Sequence, residues 1–440
     1  MAYQVTRRTA IAAASSAGLA MAAPAKGDRP AMLGGAPVRK DKFPSWPRFD
    51  QREEQGLLKT LKSGKWYRVG GAQVDAFEKA YCGLTGSPHC LAVANGTSAL
   101  ITALGVLDIG PGDEVIVPPY TFIATVNAVL MFHATPVFCD TDPATFQMDP
   151  KKLEAKITPN TRAIIPVHMG GAPVDLDAIL GIAKKHNIPV IEDAAQAHLA
   201  TYRGRHVGTF AEMGCFSFQA SKNLNSGEGG AVLFREQTMA DRAYGFHNNS
   251  RTKTQPGEVF RYGMRGANLR LTEFQGALLL AQMSRLEEQA KRRDENAAYL
   301  TKMFQEIPGI APIVPTAGAT RSAWHLYMLR YDAQKFAGLP RAKFLKALGA
   351  EGIPASSGYD PLNREPFLET TLNSRGYERI LGKGAYAKWM SANQCPANDR
   401  LCQEAVWFTQ TVLLAERSDM EQIVEGVRKI SQHAGELAKG

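Results

Sequence analysis

Two polar residues stand at the ends of apolar runs, and their types suit one chemistry. Lys222 follows Phe216-Ser217-Phe218 and precedes the glycine-rich turn Ser226-Gly227-Glu228-Gly229-Gly230. Upstream, Asp193 closes the run Val190-Ile191-Glu192. A lysine amine can form a Schiff base with an aldehyde cofactor, and a carboxylate can keep a pyridine nitrogen protonated so that the ring acts as an electron sink. Those are the two groups that pyridoxal 5'-phosphate (PLP) requires. An amine nucleophile must also be partly neutral, which an apolar pocket or a nearby cation achieves.

The phosphate of such a cofactor needs its own cradle. Asn95-Gly96-Thr97-Ser98 joins a strand-like run to a helical one, and backbone N–H groups at a helix N-terminus bind phosphate dianions. Gly96 permits close approach, and Thr97 or Ser98 adds a hydroxyl. Phe122, just beyond the second strand, offers a face on which a planar ring can stack. Each feature has a plainer reading alone. Such turns recur throughout α/β proteins, a single Phe is more often core, and Asp is a good helix cap. The cofactor reading rests on their combination with Lys222.

The elements that must position these residues alternate. Strand-like runs fall at Cys90–Val93, Glu114–Val117, Thr135–Cys139, Ala163–Val167, Val190–Glu192, Gly214–Phe218 and Ala231–Phe234, with helical segments between several of them. Several runs are apolar on both faces, as strands covered on two sides must be. The pattern predicts an α/β fold with a large doubly wound sheet domain. A long helical stretch from Leu271 to Glu306 then leads to a smaller C-terminal α+β domain holding Trp324–Tyr331, a helix near Arg341–Leu348 and a last helix from Met420 to about His433. The expected organisation is 1–25 leader, 26–47 connector, 48–285 large domain and 286–440 small domain.

Composition narrows the function class. The 440 residues are 45% hydrophobic and 21% charged, as in globular proteins. The net charge of +9 is scattered, and Lys291-Arg292-Arg293 reads as a solvated helix face, so nucleic-acid binding is not indicated. None of the six cysteines forms a CxxC, and no His/Cys cluster has zinc spacing, so no metal is expected. Cys139 and Cys215 read as core, and a Cys395–Cys402 disulfide stays open. Arg7-Arg8 precede an alanine-rich run to Ala23 with two A-x-A sites, ending at Ala22 and Ala25. That run is too short to span a membrane, so no stable insertion is expected. It predicts twin-arginine export and a periplasmic or extracytoplasmic mature protein, the alternative being a disordered leader on a cytoplasmic one.

Taken in order, Ser63-Gly64-Lys65-Trp66, Ala94 to Leu100, Gly112 to Pro118, Ile191 to Ala197, Ser217 to Lys222, Gly227 to Gly230, Asn268-Leu269-Arg270-Leu271 and Trp324-His325-Leu326-Tyr327 resemble the DegT/DnrJ/EryC1/StrS family of sugar aminotransferases. The resemblance covers about Leu33 to Ile430 and implies a fold-type I PLP enzyme. It implies that Lys222 is the Schiff-base lysine, that Asp193 pairs with the ring nitrogen, and that Gln196 contacts the ring's phenolic oxygen. By the same resemblance Phe122 stacks on the ring, and Gly96, Thr97 and Ser217 hold the phosphate. Asn268 would reach the phosphate of a neighbouring subunit, making a homodimer with shared sites, and His325 and Tyr359 would face the substrate. Gly64 to Gly71 and Leu33 to Arg39 are most similar to the glutamine-dependent scyllo-inosose aminotransferase and 3-amino-5-hydroxybenzoate synthase branches. The implied reaction moves an amino group from glutamate or glutamine to a keto-sugar or keto-cyclitol. The rival readings are a dehydrating or aromatising PLP enzyme and a non-catalytic PLP-fold binding protein. In the family's dehydratases a histidine replaces the lysine, and Lys222 disfavours that route.

Overall fold

The computed structural model describes residues 29–253 and 261–439. Arg7, Arg8 and both A-x-A sites lie outside the described residues. Seven strands there build the large sheet: β1 (His89–Val93), β2 (Glu114–Val117), β3 (Thr135–Phe138), β4 (Thr161–Ile164), β5 (Ile191–Asp193), β6 (Met213–Ser217) and β7 (Gly230–Phe234). Their spatial order is β1-β7-β6-β5-β4-β2-β3, with β4 and β5 joined by parallel bridges from Ile164 to Val190 and from Val167 to Asp193. Only β7 runs against the others. Every residue of β6 and β7 is buried, because helices cover both faces. One core packs Phe77, Tyr81, Ile179 and Leu279 on one side of the sheet. A second packs Leu100, Leu104, Val126 and Val129 on the other.

A smaller antiparallel sheet follows: β8 (Ile310–Pro312), β9 (Leu326–Tyr331) and β10 (Ala405–Thr409), with β9 central. Its core holds Leu300, Phe304, Tyr327, Phe408, Ile423 and Val427, and Leu33, Val38 and Phe43 pack against it. Leu362, Leu368, Tyr377 and Trp389 pack instead against the large sheet.

Sequence and structure part in three places. The expected helical stretch from Leu271 is two helices, Glu273–Met283 and Leu286–Phe304. At the break, Arg285 leaves helical backbone (φ −118°, ψ 2°) and its guanidinium bonds the buried Glu53 carboxylate at 2.7 and 3.0 Å. Strand β10 and the helices Pro366–Leu372, Arg375–Leu381, Ala385–Ala392 and Pro396–Glu404 had no counterpart in the sequence reading. Cys395 caps the last of these helices and Cys402 lies within it. Seven residues of helix separate their α-carbons by roughly 10 Å, beyond a disulfide's span, and both thiols are free.

Candidate active site

The carboxyl ends of the parallel strands open onto one cavity of about 1020 Å³, walled on its far side by β9 and β10. Nine of the ten residues singled out from sequence line it: Gly96, Thr97, Phe122, Asp193, Gln196, Ser217, Lys222, His325 and Tyr359. Asn268 does not. It is exposed and forms a backbone bridge with Asn248.

The turn after β1 is built for an anion. Asn95 caps the helix Gly96–Val106, its Oδ1 accepting from Ser98 N–H at 2.8 Å. Ser98's own N–H is therefore spent, while the N–H groups of Gly96 and Thr97 have no protein partner among the described residues. A Cβ on Gly96 would lie 2.6 Å from Ser217 Cβ, so only glycine lets this turn close on the end of β6.

Asp193 ends β5 and is buried. Its Oδ2 accepts from Thr125 Oγ1 at 2.8 Å and its Oδ1 from Ala195 N–H at 3.2 Å. Burial raises its pKa, and the Thr125 and Ala195 bonds and the Lys222 charge oppose the rise. Thr125 was not anticipated; its only sequence signal is its place at the start of the helix after β2. The preceding residue, Glu192, accepts from His168 Nε2 at 3.0 Å and from the N–H groups of Gly208, Phe210 and Ala211. Val174 N–H donates to His168 Nδ1, which places the His168 proton on Nε2. Burial would raise the Glu192 pKa, but these bonds win and hold it below the ordinary carboxylate value. The pair is fully buried, and His168 N–H also bonds the Asp193 carbonyl at 3.0 Å. Asp193 is thus held from both sides.

Lys222 is half-buried across the cavity. Burial pulls its pKa down to about 8, with the Asp193 carboxylate resisting. Asn223 Nδ2 donates to Ala323 O at 2.7 Å, so Asn223 Oδ1 accepts from His325 Nδ1 at 3.2 Å. His325 therefore offers the lone pair of Nε2. Burial, followed by the Lys222 charge, holds its pKa well below the ordinary value. Gln196 Oε1 accepts from Gly170 N–H at 2.8 Å, and its Nε2 donates to Tyr359 Oη at 3.3 Å. Tyr359 packs edge-on against Trp407, with ring centroids 4.7 Å apart. Phe122 is 55% exposed in the cavity.

This donor set fits PLP. Two free N–H groups stand beside a turn that only glycine can make, a fixed acid ends the neighbouring strand, an amine of lowered pKa faces it, and an exposed aromatic ring lies at the mouth.

Comparison with known proteins bears on the same cavity. The family model described as DegT/DnrJ/EryC1/StrS aminotransferase family matches residues 47–428. The chain is similar to the L-glutamine:2-deoxy-scyllo-inosose aminotransferase of Streptoalloteichus tenebrarius, with 35% identity over 421 residues, covering 92% of this chain and 98% of that one. It is similar to the spore coat polysaccharide biosynthesis protein SpsC of Bacillus subtilis, with 40% identity over 334 residues, covering 74% and 85%. Among solved structures it is similar to 3-amino-5-hydroxybenzoic acid synthase, with a TM-score of 0.80 and 33% identity, covering 90% of this chain and 100% of that one.

Proposed function

The chain belongs to the DegT/DnrJ/EryC1/StrS aminotransferase family, whose cofactor is PLP, and from that premise we propose that it moves an amino group from glutamine or glutamate to a keto-cyclitol or keto-sugar. The observation that carries this reading is the convergence of Lys222, Asp193 and the Gly96 turn on one cavity. The similarity to a glutamine-dependent cyclitol aminotransferase and to a polysaccharide biosynthesis protein supports the substrate class.

When bound, PLP spreads the electron pair left on a carbon that loses its proton. Lys222 Nζ would hold the cofactor covalently. Released by the donor amine, Nζ would take the proton from the donor α-carbon as general base; a pKa of about 8 leaves roughly a tenth of it neutral at pH 7. Asp193, kept in place by Thr125 and Ala195, would hold a proton on the ring nitrogen. Gly96, Thr97 and Ser217 would bind the phosphate, Phe122 would cover one ring face, and Gln196 would reach the ring's phenolic oxygen. His325 and Tyr359 would face the substrate.

We also propose a homodimer in which Asn268 completes the neighbouring subunit's phosphate site, and twin-arginine export of the folded holoprotein. We further propose a PLP-binding domain up to residue 285 and a small domain from 286, with the segment around Leu362, Leu368, Tyr377 and Trp389 folding back onto the large sheet. Among the described residues no helix is long and apolar enough to cross a membrane.

The test is spectroscopic. The visible band of the loaded protein should change on adding glutamine or glutamate, and the aminated form should then convert a panel of cyclitol and sugar ketones to amines, read by mass spectrometry. A band indifferent to every amino acid would reject transamination in favour of an aromatising or non-catalytic role.

A further inference from the structure

Arg293 is the largest fully buried side chain among the described residues, and it forms no ion pair there. Its Nε and Nη2 both donate to the neutral Gln410 Oε1, at 3.1 and 2.5 Å, and its Nη1 is buried without a partner. The adjacent acid, Asp294, is engaged elsewhere, accepting from Trp324 Nε1 and Arg321 Nε, both at 2.9 Å. A buried charge without a counter-ion is costly and is ordinarily paired. Burial, aided by the Arg48 charge, pulls this guanidinium's pKa down to about 9, and it stays charged near neutral pH.

Its surroundings are the cavity wall. Its guanidinium carbon lies 5.5 Å from the Trp46 ring centroid, and Trp46 Nε1 is itself buried without a partner. Trp46 and Gln410 both line the cavity that contains Lys222. With Gln410 Oε1 held by the guanidinium, the donor end of that amide is turned the other way, where Nε2 lies 3.4 Å from Ser221 O, next to Lys222. One corner of the active site therefore gathers N–H donors with a positive charge directly behind them, and the neighbouring acid, Asp294, is already bound by Arg321 and Trp324.

We propose that the corner formed by Trp46, Gln410 and Arg293 binds the carboxylate of the amino donor. This rests on the aminotransferase reading, since donor and keto-acid product carry a carboxylate while a cyclitol ketone is uncharged. Gln410 supplies the hydrogen bond through the Nε2 hydrogen not directed at Ser221 O, and the Trp46 ring walls the corner. Arg293 is a positioning residue: it fixes the amide and supplies the charge that an incoming carboxylate neutralises. Net burial of one charge against another then occurs only when the donor is seated, which places its α-amino group beside Lys222.

Gln410→Glu separates a binding role from a structural one. It puts a carboxylate on the guanidinium within the protein. Melting temperature should rise, while calorimetric affinity for maleate, an unreactive dicarboxylate, should fall by roughly tenfold to a hundredfold, the scale of a lost charge-assisted hydrogen bond. The glutamine concentration giving half-maximal spectral change should rise by a similar factor, and that for a ketone on the aminated form far less. Arg293→Lys should hold the donor value closer to wild type than Arg293→Met. Equal shifts for donor and ketone, or unchanged maleate binding in Gln410→Glu, would overturn the assignment. So would inorganic phosphate displacing maleate at lower concentration than glutamate does. A wild-type protein that binds maleate through this corner yet reacts with no amino acid would instead overturn the aminotransferase reading.

Discussion

Lys222 sits where its charge is unwelcome, and that has a measurable consequence without any cofactor. Its folded pKa is about 8, against an ordinary 10.5. Between those values the unfolded chain holds more protons than the folded one, so this group makes the apo-protein more stable as pH rises from about 8 to 10.5. Lys222→Met should flatten that part of a denaturation-versus-pH curve, and an unchanged slope would show the amine to be solvated. The same residue is the expected point of covalent attachment: borohydride should trap PLP on the wild type and not on Lys222→Ala. Asp193 asks for a subtler readout. Asp193→Asn should retain some PLP and lose most turnover, since a neutral amide cannot hold the ring proton. Near-wild-type turnover would remove Asp193 from the mechanism. These two residues were legible because each follows a run apolar on both faces. Thr125, Gln410 and Arg293 were not. A threonine at a helix start, a glutamine after an unrecognised strand and an arginine inside a basic triplet look ordinary in one dimension. Arg293 read as solvated because its basic neighbours were weighed above the helical spacing Leu286, Ala290, Arg293, Ala297, Leu300, Phe304, the face that the helix buries.

Elements were legible in proportion to their length and burial. The seven strands of the large sheet were each found within about three residues, since fully covered strands carry unbroken apolar runs. The four helices between Pro366 and Glu404 span nine residues at most, too few turns for a periodic signal. One contact between elements ties a helix of the large domain in place. Glu273, buried at the start of the helix Glu273–Met283, accepts from the backbone N–H groups of Ala72, Gln73 and Val74 at 2.7, 2.6 and 3.2 Å. It thereby caps the helix Gln73–Thr85, which packs on β1. A Cβ on Gly71 would lie 2.1 Å from Glu273 Cδ, so the chain has to be glycine there. Glu273→Gln keeps the shape and loses the charge at a helix N-terminus. It should cost about 1–2 kcal/mol in chemical denaturation, the scale of a lost cap. A cost near zero would mean water replaces the carboxylate.

At the scale of the molecule the proposed second subunit turns on Asn268. Asn268 lines nothing in its own chain's cavity, although its segment is among those resembling the family. Lys222→Ala and Asn268→Ala chains, each weak alone, should regain activity when mixed, because one of the two sites in a mixed dimer keeps both residues. A fully active monomer by light scattering would end the shared-site proposal. Export is tested separately. Changing Arg7 and Arg8 to lysine should strand folded, PLP-bound precursor in the cytoplasm, whereas a native protein recovered there uncleaved would make the first 25 residues a mere extension. The cavity wall has one more property. It is made by Pro44 and Trp46 from one part of the chain, by the strand ends, and by Trp407 to Thr411 hundreds of residues later. A ribosome must therefore finish nearly the whole polypeptide before the cavity gains its far wall, although the residues of this chain assigned to the cofactor are all made by Lys222. A chain stopped after the large sheet would carry those residues in a site open to water on one side, so PLP should wash out of such truncated chains more readily than out of the full-length protein.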